Sequence, residues 1–213
     1  MKFGNVLIFG DSYSTFKGYI PEGYISYYPP TLKERPMIDK VCDTWWHALI
    51  SETNSTLLLN NSWSGSTIGY TGYSGSDTSK TSSFITRLEK LEKEGFFKEN
   101  KIDTVFVFGA TNDSWSDAPL GNIKYENIER CDLYSVLPAI SFFLGKLSSL
   151  VPNSRIVFII NTELKDTLTD AIKTICEHFS IEAVTLSDID KKSDHPTVLG
   201  MKQIKEQVIK SLT

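Results

Sequence analysis

Gly10-Asp11-Ser12 follows directly on the apolar run Val6-Leu7-Ile8-Phe9, and Asp194-His195-Pro196 stands near the far end of the chain. A serine at the carboxyl end of a buried strand and a histidine just ahead of a last helix are the two halves of a nucleophile–base pair. Ligands of open α/β sheets collect in the crevice beyond the strand ends, and two further clusters are placed to reach it. Asn61-Ser62-Trp63-Ser64-Gly65-Ser66-Thr67 and Gly109-Ala110-Thr111-Asn112-Asp113 each follow an apolar run. Gly65 lets a backbone N–H approach a substrate oxygen closely, and the Asn112 amide can donate to the same oxygen. Gly10 permits a sharp turn, after which the chain can open a helix whose N-terminal dipole favours an alkoxide-like Ser12. Pro196 suits a first helical turn. The Gly-x-Ser-x-Gly elbow of α/β-hydrolases does not fit, because its last position is Ser14.

Positioning these groups requires strands that end together. Five apolar runs read as strands, over residues 5–9, 56–60, 104–108, 156–160 and 183–186. Helix-period segments alternate with them. Leu133, Val136, Leu137, Ile140, Phe143, Leu144 and Leu147 share one face; Leu168, Ala171, Ile172, Ile175 and Phe179 share another. Val198, Met201, Ile204, Val208 and Leu212 form a third stripe, and residues 44–50 and 84–91 complete the set. The alternation predicts a three-layer α/β/α sandwich around a five-stranded parallel sheet, with right-handed crossovers and one domain over residues 1–213. Residues 17–40, rich in Pro, Gly and Tyr, and residues 62–83, rich in Ser, Gly and Thr, interrupt the pattern. Both follow strands, so both are expected as functional loops over the carboxyl edge of the sheet.

Composition narrows the classes of partner. The chain has 213 residues, 40% of them hydrophobic, and a formal net charge of -4. That balance, without a Lys/Arg cluster, argues against nucleic acid. No apolar run approaches the ~18 residues needed to cross a bilayer, so no membrane partner is expected. The apolar start continues straight into the Gly-Asp-Ser turn, unlike a signal peptide, and a cytoplasmic location follows if Met1 is the native start. Cys42, Cys131 and Cys176 have no CxxC pairing and read as buried free thiols. Cys176-Glu177-His178 lacks further metal ligands. No metal and no cofactor are expected, and His47 and His178 read as structural.

Taken singly, each cluster has a plainer reading. Gly-Asp-Ser serves as a helix cap, Gly65 as a turn residue, Asn112-Asp113 as an Asx-turn, and a lone histidine is usually structural. Their order along successive strand ends makes the set specific. In that order the chain resembles the SGNH (GDSL) hydrolases, whose four blocks centre on Ser, Gly, Asn and His, over residues 5–212. The resemblance implies a flavodoxin-like SGNH hydrolase fold and an ester hydrolase working through an acyl-enzyme. It makes Ser12 the nucleophile and His195 the base. It assigns the oxyanion hole to the Ser12 N–H, the Gly65 N–H and the Asn112 side chain.

Two positions depart from the family pattern. The usual Gly of Gly-x-Asn-Asp is Ala110, and the usual Asp of Asp-x-x-His is Lys192, which cannot accept a hydrogen bond from imidazole. The acceptor for the second ring nitrogen is then Asp190, Asp194, a nearby backbone carbonyl or Glu163, or the pair acts as a Ser–His dyad. Asp190 is the expected choice, because an adjacent residue such as Asp194 cannot easily curl onto its neighbour's ring.

Aromatic residues in the strand-end loops, Tyr24, Trp63 and Trp115 foremost, offer flat apolar faces with polar tips that suit sugar rings. The expected substrate is a small-molecule or carbohydrate ester, most simply an acetyl ester. A lysophospholipase or thioesterase, and a non-catalytic carbohydrate-binding protein with a degenerate site, are the alternatives. A flavodoxin-like flavin protein is disfavoured, since Asp11 would repel phosphate after the first strand. Oligomeric state is not legible.

Overall fold

Residues 2–30 and 34–213 are described by a computed structural model. The apolar runs form β1 (Asn5–Gly10), β2 (Thr56–Ser62), β3 (Thr104–Phe108), β4 (Arg155–Ile160) and β5 (Glu182–Thr185). They make one parallel sheet in the order β2-β1-β3-β4-β5. Because side chains alternate across a pleated strand, β1 sends Leu7 and Phe9 into one apolar cluster and Val6 and Ile8 into the other. β3 does the same with Val105 and Val107 against Phe106 and Phe108. Both faces are therefore covered, as the continuous apolar runs require.

The helices are α1 (Trp45–Glu52), α2 (Phe84–Lys93), α3 (Phe96–Glu99), α4 (Thr111–Trp115), α5 (Val136–Leu150), α6 (Asp166–His178) and α7 (Val198–Leu212). α2, α5 and α6 cover the Leu7 face, and α1 and α7 pack together over the Val6 face. This is the expected three-layer α/β/α sandwich with five parallel strands. The strand order turns back at β1, and in such sheets that switch point opens a crevice at the carboxyl ends. Ser12 follows β1 and Asn112 follows β3, one on each side of it.

Several local expectations change. Leu133 belongs to a separate 3₁₀ turn, Arg130–Tyr134, and α5 begins only at Val136. Pro138 explains the break: its ring would clash with the carbonyl four residues back, and it is tolerated only in a first turn. Pro196 precedes α7 rather than opening it, since Thr197 is the cap and its side chain accepts from the Gly200 N–H. Pro196 belongs instead to a small antiparallel hairpin of β6 (Lys191–Lys192) and β7 (His195–Pro196). Cys176 is buried as expected, but Cys42 and Cys131 are exposed. Residues 31–33 of the long loop expected over 17–40 lie outside the described residues, as does Met1.

Candidate active site

The chain leaves β1 through a 3₁₀ turn, Ser12–Ser14, whose cap is the Asp11 side chain, accepting from the Tyr13 N–H at 3.0 Å. Burial pushes the Asp11 carboxyl up to about 7. Gly10 is required for close packing rather than for a turn: a Cβ there would lie 2.4 Å from Ser62 Oγ and 2.5 Å from Ser14 Cβ. The turn presents Ser12, whose Oγ lies 3.0 Å from His195 Nε2.

Opposite stands the loop after β2. Gly65 adopts φ +78°, the left-handed region that favours glycine, and its N–H and that of Ser12 have no acceptor among the described residues. The loop is tied to the serine strand by Trp63 N–H donating to the Gly10 carbonyl at 3.1 Å. Asn112, in the first turn of α4, donates Nδ2 to the Ser66 carbonyl at 2.9 Å and accepts on Oδ1 from the Tyr73 hydroxyl at 2.7 Å. One N–H of its amide is left over, beside the residue that follows Gly65. Asp113 fastens the same loop by accepting from the Ile68 and Gly69 N–H groups, and burial raises its carboxyl to about 6. Ala110, at the departing glycine position, takes φ +67° to reach this geometry.

His195 sits on the β6–β7 hairpin. Lys192 pairs with His195 across the ladder, and Ser193 and Asp194 close the turn at φ +49° and +60°. Two positive φ values in a two-residue turn match the right-handed twist of the flanking strands. The turn aims the Ser193 carbonyl at His195 Nδ1, 3.0 Å away. A carbonyl only accepts, so Nδ1 carries the proton and Nε2 is left to accept from Ser12 Oγ. Burial lowers the His195 pKa; Ser193 opposes this, Arg35 and Lys191 add to it, and Asp194 again opposes it. The imidazole is thus neutral near pH 7.

The expectation for Asp190 is corrected here. The hairpin register sets Lys191 against Pro196, which carries Asp190 one step further, to Thr197. Its carboxylate accepts from Thr197 Oγ1, and its N–H donates to Gln203 Oε1 at 2.7 Å. Glu163 is held by Lys191 Nζ at 3.0 Å, and Asp194 offers its carbonyl to the Tyr13 hydroxyl. Of the acceptors weighed for Nδ1, the backbone carbonyl occupies the place.

Rings grip what a carboxylate does not. Tyr27 stacks on His195 with centroids 3.7 Å apart and planes 4° from parallel. Tyr13 and Trp115 approach from other directions, at 5.2 and 6.4 Å. The Tyr13 and Tyr28 hydroxyls donate to the carbonyls of Asp194 and Pro196, on either side of the histidine. Tyr24 and Trp63 instead lie against each other at 4.3 Å and line a groove of about 360 Å³ with Lys80, Lys90 and Arg87.

A buried serine, a neutral imidazole at hydrogen-bond distance and three open N–H donors form the equipment of an acyl-transfer site. The profile of the GDSL-like Lipase/Acylhydrolase family matches residues 4–212. The chain belongs to this family. Two crystal structures of proteins described as GDSL-like lipases are similar to it over nearly their whole length. One, from Bacteroides ovatus, shares 42% identity over 98% of this chain and 97% of that one, with a TM-score of 0.90. Another, from Bacteroides uniformis, shares 43% over 98% and 95%, also at 0.90. An acetyl xylan esterase from Butyrivibrio proteoclasticus shares the fold at 15% identity, over 98% of this chain and 63% of that one, with a TM-score of 0.58. No curated protein sequence matches the chain.

This GDSL-like ester hydrolase also relies on a residue that the motifs did not single out. Arg87 of α2 is fully buried, and among the described residues its guanidinium bonds carbonyl, amide and hydroxyl oxygens rather than a carboxylate. Nε donates to the Ser82 carbonyl, Nη1 to the Asn61 carbonyl and Oδ1, and Nη2 to the Gly10 carbonyl and Ser66 Oγ. All five donors are used. They join the strand of Ser12 to the loop of Gly65 from below, while the Phe84 ring lies 4.3 Å from the guanidinium carbon. A signal existed in the sequence: Arg87 interrupts the apolar stripe of Phe84, Leu88 and Leu91, where a solvated arginine has no place.

Proposed function

We propose that this hydrolase removes short acyl groups, acetyl above all, from carbohydrate esters through an acyl-enzyme on Ser12. The observation that carries the reading is the 3.0 Å contact between Ser12 Oγ and a His195 Nε2 freed to accept by the Ser193 carbonyl on Nδ1. His195 takes the Ser12 proton as Oγ attacks the ester carbon. The oxyanion that forms receives the N–H groups of Ser12 and Gly65 and the free N–H of Asn112. The imidazolium then returns its proton to the leaving alcohol oxygen, and the acyl group stays on Oγ. Water, deprotonated by the same nitrogen, attacks the acyl carbon; carboxylic acid leaves and Ser12 is regenerated.

The alcohol side of the reading rests on Trp115 beside the imidazole and on the Tyr24–Trp63 pair at the neighbouring groove. Flat rings with polar tips fit sugars better than an acyl chain, which needs continuous apolar lining. The acetyl xylan esterase shares the architecture, and at its low identity that likeness speaks for the fold alone. Lys192 at the acid's position would favour a non-catalytic role, and the Ser193 carbonyl on Nδ1 supports the catalytic reading instead.

The test is hydrolysis of p-nitrophenyl acetate, butyrate and octanoate, followed by acetylated oligosaccharides. Turnover is expected to fall steeply with acyl length and to vanish in Ser12→Ala, together with labelling by a fluorophosphonate. Equal turnover by Ser12→Ala would refute the mechanism. Preference for octanoate would move the reading to a lysophospholipase or thioesterase.

A further inference from the structure

Tyr73 is half-exposed, at 43%, yet its hydroxyl reaches a buried atom of the site, Asn112 Oδ1, at 2.7 Å. The Ser66 carbonyl can only accept, so the Asn112 amide must turn Nδ2 toward it and Oδ1 away. With Oδ1 facing Tyr73, the phenol must be the donor. The amide is then held at both ends, which fixes the direction of its second N–H, the one read as an oxyanion donor.

The segment bearing Tyr73 is braced to make this contact. Tyr73–Gly75 is a 3₁₀ turn closed by Gly72 N–H to the Ser76 carbonyl at 2.7 Å and by a bridge between Thr71 and Asp77. Thr71 Oγ1 donates to the Tyr134 carbonyl at 2.7 Å, and the Tyr134 hydroxyl bonds Asp77 at 3.2 Å. Gly72 allows the turn to fold tightly, since a Cβ there would meet Ser76 Oγ at 2.6 Å. A loose loop tip would not hold a hydroxyl on one buried oxygen.

We infer that Tyr73 is a positioning residue for the oxyanion hole, orienting and polarising the Asn112 amide so that its free N–H meets the developing negative charge. The inference rests on the reading of Asn112 as an oxyanion donor. Donation into Oδ1 draws electron density through the amide and strengthens its remaining N–H, as in cooperative hydrogen-bond chains. A donor aimed in advance acts on the transition state more than on the bound ester, so the effect belongs in kcat rather than KM.

Four proteins separate the outcomes: the wild type, Tyr73→Phe, Asn112→Ala and the double variant, each assayed for kcat and KM on p-nitrophenyl acetate. Phenylalanine keeps the half-exposed ring and removes only the hydroxyl, so folding is not at issue. Tyr73→Phe is expected to lower kcat by about 5- to 15-fold, the scale of one hydrogen bond, with KM within about twofold. Asn112→Ala is expected to lower kcat by about 100- to 1000-fold. Removing the Tyr73 hydroxyl from Asn112→Ala should change nothing further, because Tyr73 acts through the amide. Binding of a boronic acid analogue of the tetrahedral intermediate should weaken in Tyr73→Phe by the same factor as kcat.

An unchanged kcat in Tyr73→Phe overturns the inference. So does a full Tyr73→Phe effect in the Asn112→Ala background, which would place the hydroxyl's action elsewhere. If Asn112→Ala itself keeps wild-type kcat, the oxyanion role of Asn112 fails and the inference falls with it. That result is distinct from a failure confined to Tyr73.

Discussion

Ser12 and His195 meet at 3.0 Å but are held there by opposite means. The serine side is an interior construction. Its turn grows from the central strand, its glycine leaves no room for a methyl group, and the fully buried Arg87 joins it to the Gly65 loop through all its donors. The histidine side is a surface construction. It is a two-residue hairpin with positive φ at two non-glycine residues, one carbonyl on Nδ1, and tyrosines stacked on or bonded around it. Buried polar groups hold position because leaving any of them unpaired costs free energy, whereas an exposed hairpin needs apolar walls to hold a ring still. A family's acid can therefore be absent from the base without loss of ring orientation, while no member of the serine-side network is so easily replaced.

The largest expected effect lies on the serine side. Arg87→Met keeps the length of the side chain but strands Asn61 Oδ1 and the Ser82 carbonyl, and leaves the Gly10 carbonyl with the Trp63 N–H alone. It should destabilise the fold by at least about 3 kcal/mol in urea denaturation, on the scale of leaving several buried acceptors of a charged donor unpaired. A loss under about 1 kcal/mol would mean that water replaces the guanidinium and that the interior construction is not what holds the site. On the histidine side the loss should fall on turnover instead. Tyr27→Ala removes the stacked wall and is expected to lower kcat by about 10- to 100-fold, the cost of misplacing a reacting group. Tyr27→Phe, which keeps the ring, should stay within about twofold of wild type. Equal damage by both would shift the tyrosine's importance to its hydroxyl and break the comparison.

The smallest effect is one of pH. In the proposed mechanism His195 must be neutral to accept the Ser12 proton, and its pKa is lowered chiefly by burial, with Arg35 and Lys191 adding to the effect. The acid limb of kcat/KM should accordingly lie below the ordinary histidine value of about 6.5. Arg35 stands 4.5 Å from the centre of the Tyr27 ring, and removing its charge lessens the penalty on imidazolium. Arg35→Gln should move the acid limb upward by a few tenths of a unit and leave the plateau near pH 8 within about twofold. A downward shift would contradict the sign of the interaction.

Much of the fold was legible because its signals are local. Apolar runs such as residues 104–108 and stripes such as Val198 to Leu212 report burial directly, and the observed elements differ from them mainly at their ends. The α5 boundary shifted because the apolar stripe runs on through Leu133 while Pro138 forbids a continuous helix. Ser12, Gly65, Asn112 and His195 were legible as a candidate set because each lies within a few residues of a strand end or of the start of the last helix, where chain order alone brings it to the sheet edge. Arg87 and Tyr73 were not, since their importance lies in contacts with segments distant in the chain.

The amino-acid sequence by itself determined the layers of this hydrolase, the sheet edge at which the candidate site collects, and the serine and histidine placed there. Tertiary structure decided what orients the histidine. Asp190 and the Ser193 carbonyl were both within reach along the chain, and only the hairpin register sent one to Thr197 and the other to Nδ1. Register depends on two backbone torsions and on tyrosines brought in from the first loop, none of which residue spacing encodes. That is why the expected acid proved to be a carbonyl.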